Sequence, residues 1–337
     1  MSGASDNTHA RLDLAAVQAA AARLEGVVNR TPVLSSRTLD AAAGARLALK
    51  CECFQRTGSF KFRGASNLVA SLDADERARG VCTVSSGNHA QALALAAREQ
   101  GIAAAILMPE DAPRPKLDAT RGYGAEVVTY DRYSMPQAEA GQRFAQERRA
   151  TFVPAYDDPR IAAGAGTALT ELVEDAWVPD VLFAPIGGGG GIAGYATVVK
   201  ALNPAARIYA VESDASAVWS RSLAAGERIE IPVPTHIADG QMLTTPGRFT
   251  FDVLRPLVDA VVLVSDAQIV EAMALLFERH KLGVEPSGAI ALAAALWGGV
   301  EIAGCDVAVV MSGGNVGIDR FTTLMRDRAP KGVDDDA

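Results

Sequence analysis

The stretch Thr57-Gly58-Ser59-Phe60-Lys61-Phe62-Arg63-Gly64-Ala65 sets one lysine between two phenylalanines. The run before it, residues 46–54, alternates like a strand, and the run after it, 65–72, has the apolar spacing of a helix. Lys61 therefore falls in the first turn of a helix, behind a Gly-Ser pair able to cap it. The positive end of the helix dipole disfavours a cation there, and the flanking rings disfavour its hydration. Both effects lower the pKa of the amine, by up to roughly 3–5 units on full burial. A neutral amine is a nucleophile that can condense with an aldehyde. On this stretch alone, a surface lysine whose stem covers the two rings is the better account.

Three further stretches change that balance. Each follows a strand-like run, and parallel sheets bind ligands beyond the carboxyl ends of their strands. Ser85-Ser86-Gly87-Asn88-His89 leads into a helical pattern, where free N–H groups favour an anion. A carboxylate fits there, with Ser86, Asn88 and His89 adding bonds; a plain capped turn fits equally well. Gly187-Gly188-Gly189-Gly190-Gly191 carries an entropic cost too large for an idle loop, and successive N–H groups can wrap a phosphate. No Lys-Ser/Thr pair follows, which excludes a Walker loop. Gly189-x-Gly191-x-x-Gly194, with Glu212 ending the next strand, also matches the dinucleotide fingerprint, so NAD stays open. Ser312-Gly313-Gly314-Asn315 adds a neutral hydroxyl beside two glycines. Together these supply a phosphate cradle, a carboxylate site, a hydroxyl and a dry lysine. An aldehyde with a phosphate tail satisfies all four, and pyridoxal 5'-phosphate is that molecule.

The elements that must position these groups alternate. Strands are expected at 81–85, 103–108, 126–130, 151–154, 181–186, 208–212, 261–264 and 307–311. Helices are expected at 14–24, 88–99, 115–122, 137–149, 166–174, 192–202, 266–280 and 288–296. Such alternation predicts parallel sheets with helical crossovers. A charged break at 73–80 opens a compact subdomain of about residues 80–158.

The composition narrows the function classes. The net charge is −8 with no basic arm, which argues against a nucleic-acid partner. The start has neither the basic nor the apolar region of a signal peptide, and the most apolar stretch, 289–297, is too short to span a bilayer, so a cytoplasmic protein with no membrane partner is expected. Cys51 and Cys53 lack the spacer of a redox or zinc pair; with Cys82 and Cys305 they read as buried small hydrophobes. His9, His236 and His280 show no metal spacing.

Over residues 30–318 the sequence resembles the fold-type II pyridoxal-phosphate enzymes, in the serine/threonine dehydratase and serine racemase branch. The stretches above carry the likeness, with Ile237-Ala238-Asp239-Gly240 and Glu285-Pro286-Ser287-Gly288. The resemblance implies a tryptophan synthase β-like α/β fold of two open twisted domains with the cofactor in the cleft between them. Residues 1–76 plus 159–328 would form the large domain, 77–158 the small one, and 329–337 a disordered tail. Lys61 would hold the cofactor aldehyde and Phe60 would pack near its ring. Asn88 would bond the phenolic oxygen, Gly187, Gly188, Gly189, Gly190 and Gly191 would hold the phosphate, and Ser312 would face the pyridine nitrogen. Ser86, with Ser85, Gly87 and His89, would bind substrate carboxylate opposite Lys61.

The implied reaction is β-elimination from a β-hydroxy amino acid such as threonine or serine, giving a 2-oxo acid and ammonia. Alternatives are an amino-acid racemase with Ser86 as second acid–base, a dehydratase for 3-hydroxyaspartate or phenylserine, an NAD(P)-dependent oxidoreductase, or a non-catalytic sensor. A homodimer or homotetramer is implied. So is a divalent cation, Mg²⁺ or Mn²⁺, held by an acid at Glu212, a carbonyl at Ser216 and a second acid at position 218. That second carboxylate is missing, since Val218 stands there. A small-domain arginine near the substrate is replaced by Gln137, with Arg132 the candidate substitute.

Overall fold

A computed structural model describes residues 11–112, 114–135, 137–326 and 328, and its ten strands form two sheets. The strands are β1 (Val33–Leu34), β2 (Arg46–Cys51), β3 (Val81–Val84), β4 (Ala104–Pro109), β5 (Glu126–Tyr130), β6 (Thr151–Phe152), β7 (Val181–Pro185), β8 (Arg207–Ser213), β9 (Ala260–Val264) and β10 (Asp306–Met311). The larger sheet runs β1-β2-β10-β7-β8-β9, parallel except for the edge strand β1. The smaller sheet runs β5-β4-β3-β6 and is wholly parallel. The helices are α1 (Leu14–Leu24), α2 (Arg37–Ala43), α3 (Lys61–Ala70), α4 (Ala74–Arg79), α5 (Asn88–Glu99), α6 (Arg114–Gly122), α7 (Gln137–Arg148), α8 (Pro159–Asp175), α9 (Gly190–Leu202), α10 (Val218–Ala225), α11 (Arg248–Leu254), α12 (Asp266–Leu275), α13 (Pro286–Trp297) and α14 (Ile318–Arg326). No described helix is long and apolar enough to cross a membrane.

The strand pattern agrees with the periodicity, and α1 and α5 have the expected bounds. Short helices were harder to see. The charged break contains α4, whose Asp73 and Glu76 form a reciprocal capping box. Helix α8 begins earlier than its apolar run, at Pro159, because Asp158 caps it and proline suits the first turn. His9 and the acidic tail lie outside the described residues.

Helix α8 is the spacer that brings the reactive elements together. Gly64 of α3 would place a Cβ 2.7 Å from the Ile161 carbonyl, and Gly164 one 2.6 Å from the Arg63 carbonyl. On the other side of α8, Gly194 of α9 faces the Ala162 carbonyl with no room for a side chain. Two helices thus touch α8 backbone to backbone. The start of α3, which carries Lys61, comes beside the start of α9, which carries the glycines. Phe62, Ala65, Leu68 and Val69 of α3 pack with α5 and the smaller sheet, so the lysine-bearing helix is shared between both halves.

A buried ionic quartet fixes α3 from its other face. Arg63, fully buried, donates from Nε and Nη2 to Glu52, at 2.8 and 2.9 Å, and from Nη1 and Nη2 to Glu171, at 2.7 and 2.8 Å. Lys50, equally buried, donates to Glu171 at 2.7 Å and to the Thr31 carbonyl at 2.8 Å. Thr31 gives its hydroxyl proton to Glu52 at 2.6 Å. Two cations and two anions balance. Burial works against the Glu171 anion, but Arg63 and Lys50 overcome that and hold its pKa low. Removing one member strands its partners, which costs about 3–5 kcal/mol for a buried pair. Arg63→Met is therefore expected to lose about that much unfolding free energy in urea at pH 7, and a loss under about 1 kcal/mol would show that the quartet does not hold α3.

Candidate active site

Lys61 opens α3, as expected, but the groups around it differ from the sequence reading in two ways. Ser59 does not cap the helix: Phe60 stands at the cap without a side-chain bond, and the Ser59 hydroxyl is buried without a partner. Ser59 instead bridges to Gly313, while Phe60 N–H donates to the Ser312 carbonyl at 3.0 Å and Gly314 N–H to the Gly58 carbonyl at 2.9 Å. Of the two phenylalanines only Phe60 stays with the amine, its ring centre 5.0 Å from Nζ. Phe62 points into the core, because adjacent residues on a helix face different ways.

The amine donates to the Ala155 carbonyl at 2.8 Å. Part of the Lys61 stem remains accessible, but the nitrogen lies deep among protein atoms, and burial lowers its pKa to about 8. His89, facing the same charge, is pushed down to about 3 by burial first and by Lys61 second. Its Nε2 lies 3.2 Å from the Val153 carbonyl. His89 thus brings a neutral ring and a helix amide to the site.

The glycine run works as two parts. Gly187, Gly188 and Gly189 form the loop, and Gly190 and Gly191 already belong to α9. The outer carbonyls are taken: Trp219 Nε1–H donates to Gly187 at 2.5 Å and the Thr250 hydroxyl to Gly188 at 2.7 Å. With these carbonyls engaged and no side chain capping α9, the amides of the loop and of the first helical turn are left to stabilise an anion. Gly188 must be glycine because the Tyr156 ring lies where a Cβ would be. Gly189 must be glycine because its φ is +94° and Thr250 and Trp219 lie within 2.8 Å of a Cβ. Phe60 also reaches this loop, 2.9 Å from a Cβ at Gly191, so lysine and cradle are neighbours.

Ser85, half-buried Ser86, and Gly87 follow β3, and Gly87 caps α5 without a side-chain bond, leaving the first amides free. The Asn88 amide donates to Glu285 at 2.7 Å. Ser312 follows β10, and its hydroxyl donates to the Ser287 carbonyl at 3.2 Å. Gln137 is spent on the Val84 carbonyl at 3.3 Å, and Arg132 is exposed and paired with Asp111 at 2.6 Å. Neither Arg132 nor Gln137 supplies a free cation to the cleft.

Glu212 departs from both roles suggested for it. Its oxygens accept Ser220 N–H at 2.8 Å and Trp219 N–H at 3.2 Å, so it caps α10. Burial raises its pKa, and those amides pull it back. The Glu212 oxygens are thus turned to the backbone of α10 and not to a ligand in the glycine loop. The position expected to hold a second cation ligand is Val218, packed in the apolar core. The residues present do not fit a carboxylate-bound divalent cation. They do fit pyridoxal phosphate: a dry amine, a glycine cradle a Cβ would fill, and an orphaned buried hydroxyl lie together.

Several site residues carried no sequence signal. Tyr156 and Ala155 reach the lysine and the cradle from a segment that reads as an ordinary loop. Trp219 and Thr250 come from short helices that the pattern missed. Glu285 lay in a motif whose geometry no periodicity supplies.

The comparisons agree with this geometry. A family model described as pyridoxal-phosphate dependent enzyme matches residues 24–313. L-threo-3-hydroxyaspartate ammonia-lyase of a Pseudomonas species is 45% identical over 307 residues, covering 91% of this chain and 96% of that protein. The protein of the same name from Saccharomyces cerevisiae is 43% identical, covering 90% and 93%. Among solved structures, maize serine racemase superposes with a TM-score of 0.88 at 39% identity, covering 93% of this chain and 97% of that one.

Two outcomes follow. Lys61 is protonated in both states below its folded pKa of about 8 and neutral in both above the ordinary lysine value, so the penalty for burying it is present at pH 7 and gone by about pH 11. In denaturation of the cofactor-free protein, Lys61→Met should be the more stable variant at pH 7, with the gain vanishing at high pH; a pH-independent difference would contradict the dry amine. Magnesium, manganese or a chelator should leave the thermal unfolding midpoint of the wild type unchanged. A rise with either metal would mean that Glu212 is a ligand after all.

Proposed function

The chain belongs to the pyridoxal-phosphate dependent enzyme family, and from that premise we propose that it is an ammonia-lyase converting a β-hydroxy amino acid to a 2-oxo acid and ammonia. One observation carries the reading: the Lys61 amine, with its pKa lowered to about 8, stands where two helix N-termini meet. The cofactor, when bound, supplies an electrophilic aldehyde and a conjugated ring that acidifies the Cα–H of an attached amino acid. The protein supplies the rest. Gly187 to Gly191 would hold the phosphate with backbone amides, and Ser312 would offer the ring a neutral hydroxyl. Ser85 to His89 hold the substrate carboxylate at the start of α5. Once free, Lys61 takes the Cα proton as general base, because a neutral amine of near-neutral pKa is suited to that transfer.

The substrate class is β-hydroxy amino acids. The names of the Pseudomonas and yeast relatives make 3-hydroxyaspartate the first to test, beside threonine and serine. A second reading, amino-acid racemisation with Ser86 as acid–base on the opposite face, is favoured by the likeness to maize serine racemase. The smaller sheet supports reading residues 77–158 as the small domain. A cytoplasmic homo-oligomer is the accompanying expectation.

Incubating the holoenzyme with 3-hydroxyaspartate, threonine, serine and phenylserine should release oxo acid and ammonia from at least one. Lys61→Ala should lower that rate by about 10²–10⁴-fold or more, and borohydride reduction should leave the cofactor on Lys61. Loss of optical activity without oxo acid would select the racemase. No adduct on Lys61 would overturn both.

A further inference from the structure

Glu285 precedes α13, and its carbonyl accepts the first helical bonds, from Gly288 N–H at 2.8 Å and Ala289 N–H at 3.1 Å. A short acceptor side chain in that position, such as aspartate, commonly folds back onto the free amides of its own helix. Glu285 does not. Its side chain turns the other way, is 6% exposed, and takes a proton of the Asn88 amide at 2.7 Å. Glycine is required at 313 because the Glu285 Oε1 atom lies where a Cβ would be. Burial raises the Glu285 pKa to about 7, and Asp239 adds to that; Asn88, Lys116 and Arg320 pull it back. A carboxylate kept dry at such cost, with no part in its own helix, has its effect at the Asn88 amide, its side-chain hydrogen-bond partner among the described residues.

That partner is held at both ends. Asn88 Oδ1 accepts from Asn315 Nδ2 at 2.8 Å, and Asn315 gives its other proton to the Thr57 carbonyl at 2.7 Å. An amide nitrogen only donates, so the Asn315 NH₂, bonded to the Thr57 carbonyl, must face an oxygen of Asn88. Turned end for end, Asn88 would set its NH₂ against the Asn315 NH₂. Only one orientation is therefore allowed. It commits one Asn88 N–H to Glu285 and leaves the second free. Asn88 is also the first residue of α5, so this free proton stands among the unpaired amides of a helix N-terminus.

We propose that Glu285 is a positioning residue of the cofactor pocket: by accepting one proton of the Asn88 amide it aims the other at bound pyridoxal phosphate. The role rests on the cofactor assignment above. The loop that holds Asn315 is the one that carries Ser312 and is stitched to Gly58, so four segments share one hydrogen-bonded chain, Glu285–Asn88–Asn315–Thr57.

A mutant cycle on the holoenzyme tests this. The cofactor dissociation constant and the visible absorbance maximum of the bound cofactor are measured for wild type, Glu285→Ala, Asn88→Ala and the double variant. Each single change should weaken cofactor binding about tenfold, the effect of one hydrogen bond to a charged partner. Both should move the absorbance maximum in the same direction, and the double variant should be no weaker than Asn88→Ala alone, because the two act as one unit. Glu285→Gln keeps an oxygen that can accept the same proton and should return binding to within about threefold of wild type. If Glu285→Ala does not fold, Glu285→Met fills the same space without an acceptor and takes its place in the cycle. Independent, multiplying effects would overturn the role, as would a Glu285→Ala enzyme with wild-type affinity and spectrum. A wild type that takes up no pyridoxal phosphate would instead overturn the cofactor assignment, and this role with it.

Discussion

The contact of α3 and α9 with the opposite sides of α8 is the constraint on which the site depends. Helix N-termini are where backbone amides are left over, and two of them must be brought close enough for one small ligand to span them. Side chains of ordinary size would hold helix axes about 8–10 Å apart. Gly64, Gly164 and Gly194 remove that spacing by letting carbonyls sit where Cβ atoms would be. The Arg63 quartet then prevents rotation: a guanidinium with four bonds to two carboxylates has one orientation, and Lys61 lies two residues before it on the same helix. Small residues set the distance and buried charge sets the angle.

Desolvation does the chemical tuning. Burial is the leading cause of the shifts at Lys61, His89 and Glu285. It acts in opposite senses by charge type, favouring the neutral form of all three. The charges such a site would carry in water are thereby made costly before any ligand enters. The permanent positive potential comes from backbone dipoles, which cannot be titrated away. This suits an anionic cofactor with an aldehyde, whose tail would meet fixed dipoles and whose aldehyde would meet an amine of lowered pKa. The burial that activates Lys61 also opposes folding, and the neutral quartet beneath α3 is placed to hold the helix against that cost.

Much of the fold was legible because parallel sheets write themselves in apolar runs, as at 181–186 and 307–311, and because α5 and α1 have clean periodicity. The chemistry-bearing stretches were legible for a different reason: a lysine among aromatics and five successive glycines are costly choices without a ligand. What could not be read is pairing at long range. Arg63 meets Glu171 across 108 residues and Asn88 meets Glu285 across 197, and no spacing rule reaches that far. Short helices such as α10 and α11 were invisible because a single turn or two carries too little periodicity, yet they supply Trp219 and Thr250. Ser59 misled in an instructive way. It has the right type and place for a cap, but the bridge to Gly313 already fixes its backbone, so tertiary structure overrode a local preference.

Glu212 shows how one substitution can change the meaning of an unchanged neighbour. A carboxylate at the end of a central strand, 1% exposed, must have its charge met. A cation could do that, given a second acid to help bind it. Here the second place is Val218, whose side chain is packed in the apolar core behind the glycine loop. The charge is met instead by the amides of Trp219 and Ser220, at the start of the helix that Val218 itself begins. The same Trp219 donates its indole N–H to the Gly187 carbonyl. Glu212 therefore still reaches the cradle, through a helix cap and one indole. A bound ion can leave and be replaced, whereas a cap is present whenever the helix is folded. In this chain the shape of the glycine loop is tied to folding itself, through the cap and the indole.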